Sequence, residues 1–549
     1  MKRVVFWAFV FVLPAWGGDF PVRKKIIAHG WEFGGVSLKN LVAHTNQFDG
    51  LPFDGVGFHL AAKLPGGRKI GSRGIMHDPA WTREAFARQI PMFRAITSHP
   101  RMRESTLGTL RAPKKRLDWT DDATWARIAT NLSVAAWVAR EGGFRGISVD
   151  PEDYHKVHQF SRRKGDPKWD ELSVLVRRRG RELFNPVFRE FPDAVVLFYW
   201  GFSMAHAPWR QHLYLQDPEG AVRGSDGLWP SFLNGILDAM PLTAKFVDGN
   251  EYSYEYEAAS NHYFEASFRN RVSALSLVAP ENREKYRKCL RAASALYLDM
   301  YVNKEGSKWY AGPVGGSRLE HFRVNARQAL CAADEYIWLW GERGSWIDWK
   351  MNDWVGAMTN WEVRLPGISH TMDVLRDSEG AAVARKAELQ RSGALTNLIA
   401  NGTCEAEGGA VPNGFGTWHS SKDRSGRFLS DSSSGVGGGS CLVAEGVGSG
   451  CFTVGVSDVK PGEYYLIEVS CKGESGVVAA DWKKRDGKTP YKEKCTLTRS
   501  RPDGNGWSRV SAVVCVPPDS VKMTLSLGVA NLAEGERTLF DDVSVYRLW

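Results

Sequence analysis

The chain has 549 residues, 43% of them hydrophobic, and a net charge of +9. That length is too great for one ordinary hydrophobic core, so two or three domains are expected. The positive charge carries no nucleic-acid motif with it, and from Asn397 onward 17 Lys and Arg face 18 Asp and Glu, so the excess lies upstream.

In chain order, Lys2 and Arg3 precede an apolar run from Val4 to Trp16, then Gly17 and Gly18. This is the pattern of a secretory signal peptide over residues 1–18. The run falls short of the roughly 20 apolar residues that span a bilayer, and no Cys follows it for lipid anchoring. The expectation is an exported bacterial protein, secreted or periplasmic, with no integral membrane association.

Short apolar runs then recur at 26–31, 56–60, 106–110, 146–150, 194–200, 244–248, 295–301 and 336–340, separated by helical patterns. Trp125, Ile128, Leu132, Ala135 and Ala139 keep a 3.6-residue period behind an acidic first turn at Asp121 and Asp122, and 318–333 behaves similarly. Eight alternations predict a (β/α)8 TIM barrel over residues 19–375. The rival, an open doubly wound sheet, lacks a Gly-rich nucleotide fingerprint after the first strand. Much of the excess charge sits in Arg162, Arg163, Lys164, Arg177, Arg178, Arg179 and Arg181. These read either as a solvated helix face or as an attractor of acidic glycan.

Residues 376–396 read as a helical linker, charged from 377 to 391. From 397 to 549 the chain is rich in Gly, Ser, Val and Thr, with strand-like runs at 451–456, 463–469, 510–516 and 523–527 and a turn at Lys460-Pro461-Gly462, predicting an all-β jelly-roll sandwich. Cys404, Cys441, Cys451, Cys471, Cys495 and Cys515 crowd this part, which in an oxidising compartment suits disulfides of undetermined pairing.

Three segments of this part, Asn397-Leu-Ile-Ala-Asn401-Gly-Thr-Cys-Glu405, Val459-Lys-Pro-Gly462-Glu-Tyr-Tyr465 and Phe540-Asp541-Asp542-Val543, resemble the jelly-roll carbohydrate-binding modules of bacterial glycosidases. The resemblance implies a structural calcium to which Glu405 and Asp541 contribute, although Cys404 stands where an aromatic residue or Gly is usual. Trp418, Trp482 and Trp507 are either sugar-stacking faces or core residues.

In (β/α)8 enzymes reactive groups project from strand C-terminal ends. The fourth predicted strand ends Asp150-Pro-Glu152-Asp-Tyr154, the sixth Asp248-Gly-Asn250-Glu251-Tyr252-Ser-Tyr254, and the eighth Trp340-Gly-Glu342-Arg343. The first adds His29, Trp31 and Glu32, the second His59, and the fifth Tyr199 and Trp200. Glycoside cleavage needs one carboxylic acid to protonate the leaving oxygen and a second group to stabilise or attack the oxocarbenium-like centre. The reading is a glycoside hydrolase acting on an oligo- or polysaccharide, with Glu152 as general acid/base and Glu251 or Glu342 as nucleophile or base. Asp150 orients substrate or raises the pKa of Glu152. Trp31, Trp200, Tyr252 and Trp340 form stacking walls, His29, His59 and Asn250 donate to hydroxyls, and Glu32, Tyr154, Asp248 and Arg343 complete the substrate contacts.

Asp150-Pro-Glu152 resembles the Asp-x-Glu of chitinase-like, substrate-assisted hexosaminidases, with Ser148 where those enzymes carry a further Asp. Asn250-Glu251 is similar to the Asn-Glu pair of clan A glycosidases, but follows the sixth strand rather than the fourth. No cofactor is expected for catalysis. The alternative is a non-catalytic glycan-binding or adhesion protein. An esterase or metallohydrolase is disfavoured by the lack of GxSxG and HExxH motifs.

Overall fold

Apolar strands that are buried on both faces need helices on one side and a filled interior on the other, and the chain supplies both. The computed structural model describes residues 24–64, 66–205, 227–406, 410–420, 426–487 and 495–549, so the expected signal peptide lies outside the described residues. Nine parallel strands form one sheet: β1 (Lys25–Gly30), β2 (Gly55–His59), β3 (Thr106–Arg111), β4 (Gly146–Asp150), β5 (Val195–Phe198), β6 (Lys245–Asp248), β7 (Leu290–Ala292), β8 (Ser294–Tyr297) and β9 (Tyr336–Gly341). Their order is β8-β9-β1-β2-β3-β4-β5-β6-β7. The two edge strands flank a single residue, Ala293, whose amide donates to Asp248 at 2.9 Å, so the sheet is nearly closed. The seventh apolar run therefore begins earlier than the sequence suggests, pairing first with β6 and then with β9, and turns into a 3-10 helix at Leu298–Tyr301.

The space inside the sheet is filled by Ile27, Leu197, Val247, Ala295 and Trp338, with Tyr199 stacked on Trp338 at 4.3 Å between ring centroids. Glycines make room for two imidazoles there. A Cβ on Gly57 would stand 2.2 Å from His29 Nδ1, and one on Gly108 would stand 2.8 Å from His59 Nδ1. Both contacts are closer than packed atoms tolerate.

Helices cover the outer face. The helix Asp122–Glu141 is capped by Asp121, which accepts from the Thr124 amide at 3.1 Å, as the acidic first turn implies. The helix Trp169–Glu190 carries Arg177, Arg178, Arg179 and Arg181 of the basic cluster. Arg177 pairs with Asp238 at 2.7 Å and Glu281 at 2.6 Å, and both Arg178 and Arg179 pair with Asp122. These three bind neighbouring helices and loops, and are not a free face for acidic glycan.

The C-terminal part consists of antiparallel sheets of five and six strands facing each other across a core that includes Phe452, Ile467, Leu525 and Phe540. Cys404, Cys441, Cys471 and Cys515 are free thiols, which corrects the disulfide expectation for these four; Cys404, Cys441 and Cys471 are buried in the sandwich. The helix Ser378–Arg391 links the two parts, with Lys386 paired to Glu468 and Arg385 donating to the Leu548 carbonyl. The His370 ring stacks on Trp549, 5.5 Å between centroids, and the Tyr464 hydroxyl donates to Thr371 at 3.3 Å.

A one-turn helix, Trp31–Gly35, leaves the end of β1. Its Glu32, expected to contact sugar, is only 2% exposed and accepts from the amides of Trp346 and Ile347 and the Trp349 indole, at 2.8–3.0 Å. Burial pushes this carboxyl up to about 7 against those donors. It holds the loop after β9 against the end of β1. Replacing it with Gln puts an NH2 group among N–H donors. We expect Glu32→Gln to lower unfolding stability by about 2–3 kcal/mol, measured by urea denaturation.

Candidate functional site

Because the strands are parallel and the sheet nearly closed, their C-terminal ends meet around one cavity of about 480 Å3. Its acidic lining is Asp150 and Glu152 after β4, Glu251 and Glu255 after β6, and Glu342 after β9. Its aromatic walls are Trp31, Tyr154, Trp200, Tyr252 and Trp340, as the sequence suggests, with Tyr199, Tyr254, Tyr297 and Trp309 besides. His59, Arg73 and Arg111 supply the basic side.

Asp150 is the best-held carboxylate. Its Oδ2 accepts from Arg111 Nε at 3.0 Å and from the Tyr154 hydroxyl at 3.3 Å, while Oδ1 accepts from the Glu152 amide at 3.1 Å. The Arg111 guanidinium also lies over the Tyr154 ring, 4.6 Å from its centroid. Burial raises the Asp150 pKa and Arg111 opposes that rise. Glu152 is raised by burial and by the neighbouring Asp150 charge. Glu251 is raised furthest, well above the usual carboxylate range, by burial and then by the charges of Asp150 and Glu152. Its Oε2 is buried with no hydrogen-bond partner among the described residues. Like charges in a medium that solvates ions poorly resist ionising together, and Glu251 is the member that resists most. Glu342 is fixed differently: it accepts from the Trp340 indole at 3.1 Å, and its amide donates to the buried Asp299 at 2.7 Å.

Four further residues expected in the site lie outside the cavity lining. Asp248 is fully buried and accepts from the Gly201 and Ser203 amides at 3.1 and 2.9 Å, which shapes the loop after β5. Asn250 is buried with a left-handed backbone, φ 44°, that turns the chain so that Glu251 and Tyr252 reach the mouth. His29 lies in the sheet interior, its Nδ1 2.7 Å from the Tyr199 hydroxyl. Arg343 points away from the lining, and its carbonyl accepts from Arg364 at 3.0 Å.

Of the residues not anticipated, Arg111 had a signal: it follows the third predicted strand directly, at the C-terminal position that the barrel rule marks. Tyr254 and Ser148 lie inside motifs already singled out, and Tyr297 ends β8. Arg73 and Trp309 come from loops that carry no motif.

In the sandwich, Trp482 and Trp507 are buried, whereas Trp418 is 55% exposed on the edge strand Gly416–His419. Glu405 accepts from the Ser440 hydroxyl at 2.7 Å, and Asp541 from the Val436 amide at 2.7 Å. No cluster of three or more His, Cys, Asp or Glu able to hold a metal occurs among the described residues. A hard cation also takes carbonyl oxygens, however. The Ser440 and Gly439 carbonyls and Asp541 Oδ2 all lie within 2.8 Å of where a Gly435 Cβ would stand. Burial, aided by the charges of Asp542 and Glu405, raises Asp541 to about 6. These oxygens are of the chemical type that calcium takes.

No protein-family profile matches the chain, and no curated protein does. Among solved structures the chain is similar to the enzymatically active domain of bacteriophage CBA120 tailspike protein 4, at 15% identity over 28% of this chain and 21% of that one, TM-score 0.22. It is also similar to the C-terminal family 22 carbohydrate-binding module of Clostridium thermocellum Xyn10B, at 14% identity over 27% and 96%, TM-score 0.20. A third similarity is to TmCBM61 in complex with β-1,4-galactotriose, at 17% identity over 28% and 99%, TM-score 0.19. The chain thus spans about a fifth of the tailspike domain's length. No helix among the described residues is long and apolar enough to cross a membrane.

Burial lowers His29 to about 3, and burial with the Arg73 and Arg111 charges lowers His59 to about 4. Both imidazoles are neutral at physiological pH. The unfolded chain binds these protons near pH 6.5, so the stability they contribute is complete above that pH and is lost as pH falls toward 3–4. Histidine NMR titration should give the two low midpoints; a midpoint near 6.5 for either would contradict its burial.

Proposed function

We propose that this protein is an exported glycoside hydrolase: a (β/α)8 barrel over residues 19–375, a linker over 376–396 and a jelly-roll carbohydrate-binding-type module over 397–549. The observation that carries the reading is the cluster of Asp150, Glu152 and Glu251, with pKa values raised by burial, in one aromatic-lined cavity. Apolar ring faces suit the C–H faces of sugars, and a carboxyl whose pKa is raised by burial suits protonation of a glycosidic oxygen.

In this mechanism Glu251 is the acid. Its pKa is raised furthest of the three, by burial and by the charges of Asp150 and Glu152, and its buried Oε2 accepts no hydrogen bond among the described residues. Glu152 keeps more contact with solvent and serves as the second carboxylate, attacking the anomeric carbon or activating water. These roles reverse the assignment that the Asp-x-Glu resemblance suggests. Asp150, gripped by Arg111 and Tyr154, orients substrate rather than moving a proton. Glu342, tied to the Trp340 indole, positions a hydroxyl at the opposite wall.

The test is to incubate wild-type protein, Glu152→Gln and Glu251→Gln with a broad panel of complex glycans and follow released sugars by mass spectrometry. Each variant should lose about 10²–10⁴-fold in kcat without a lower Tm. The wild-type rate should fall as pH rises through the raised pKa of Glu251, since only its acid form donates. Release of sugar by neither wild type nor variants, with binding retained, would favour a glycan-binding protein.

We also propose that the sandwich holds a calcium ion through Glu405, Asp541 and nearby carbonyls. Calcium would neutralise the mutual repulsion of Glu405, Asp541 and Asp542. Adding 1–2 mM (on the order of) calcium to chelator-treated protein should raise its Tm, and Asp541→Asn should abolish that rise.

A further inference from the structure

The segment Trp31-Glu32-Phe33-Gly34-Gly35 is one helical turn in which each position has a separate use. Glu32 anchors the loop after β9, Phe33 is in the core, and Gly34 leaves space for the His59 ring, which a Cβ would meet at 2.9 Å. Gly35 does the same for an indole. A Cβ there would stand 2.2 Å from Trp354 Cζ2, so the Trp354 ring occupies the place of a side chain at position 35. Positions 31 and 35 are i and i+4 neighbours on one helix face, where side chains lie about 5–6 Å apart at Cβ. Trp31 thus opens this turn while Trp354 packs against its last residue, and both remain in water, 45% and 53% exposed.

Two large apolar rings left in solvent forgo burial that a neighbouring core could have given them. They are not held loosely. Trp354 lies between Asp353, whose Oδ1 accepts from the Val355 and Gly356 amides at 3.0 and 3.1 Å, and Val355, which is 1% exposed. Its loop is joined to the one-turn helix through the Glu32 contacts at 346–349. Trp31 also lines the carboxylate cavity, and Trp354 lies beyond that lining.

We propose that Trp31 and Trp354 form an aromatic platform on which an extended glycan chain stacks as it leaves the carboxylate pocket. The proposal rests on the glycan-processing reading and deepens it: the substrate is a chain longer than the pocket, and Trp354 sets the preference for length. Rigid rings can stack on sugars with little loss of conformational freedom, which is why such indoles favour binding.

The experiment measures binding by intrinsic fluorescence and calorimetry to dimers and hexamers of the cello-, xylo-, manno-, galacto- and chito-oligosaccharide series. The proteins are full-length Glu251→Gln alone and in combination with Trp354→Ala or Trp354→Phe. For the series that binds, the hexamer should bind about tenfold more tightly than the dimer. Trp354→Ala should bring that ratio close to one, and Trp354→Phe should restore part of it. A ratio unaffected by Trp354→Ala overturns the platform, as does failure of every hexamer to bind. Absence of hydrolysis by wild-type protein, with the length-dependent binding intact, would overturn the hydrolase reading alone and leave the platform standing.

Discussion

A parallel sheet bent nearly onto itself forces the C-terminal ends of its strands to one mouth, and everything else in the site follows from that geometric constraint. The interior must be filled, and here it is filled with large aromatic rings, Tyr199 on Trp338, beneath the mouth. That stack closes the sheet interior below the carboxyl groups. Burial is then the first cause of the raised pKa values of Asp150, Glu152 and Glu251, with their mutual repulsion second for Glu152 and Glu251.

The cluster is tolerable because its members are not treated alike. Asp150 receives Arg111, Tyr154 and a backbone amide, whereas Glu251 is left with a bare oxygen. A group with three donors can carry charge, and a group with an orphan oxygen is better protonated. The difference between them is a difference in hydrogen bonding within a few residues of the same strand ends. It leaves one mouth with both an ion-paired carboxyl and a carboxyl that resists ionisation.

The one-turn helix after β1 shows how local sequence is used for long-range placement. Its acidic residue and its two glycines together arrange a loop more than 300 positions away, a histidine on β2 and an exposed indole. Glu32 looks like a site carboxylate by position and type. Three N–H groups aimed at it from residues 346–349 decide otherwise, because they hold it where it is only 2% exposed, out of a ligand's reach.

The sequence by itself determined the alternation of strands and helices, since periodicity and strand length are local properties, and it placed Glu152, Glu251, Glu342 and the rings of Trp31, Trp200, Tyr252 and Trp340 at strand ends that line the mouth. It also marked the Asp121 cap and the β-rich C-terminal part. Only the tertiary structure decided which strand-end groups face the cavity. Asp248, Asn250, His29 and Glu32 occupy positions equivalent to the others, yet amides and rings brought in from elsewhere turn them inward or engage them. The same holds for Arg177, Arg178 and Arg179, whose partners lie on other elements of the fold. A side chain's type is written in the sequence, but its desolvation and its partners depend on residues tens to hundreds of positions away, and those decide whether a charge is a scaffold or a reagent.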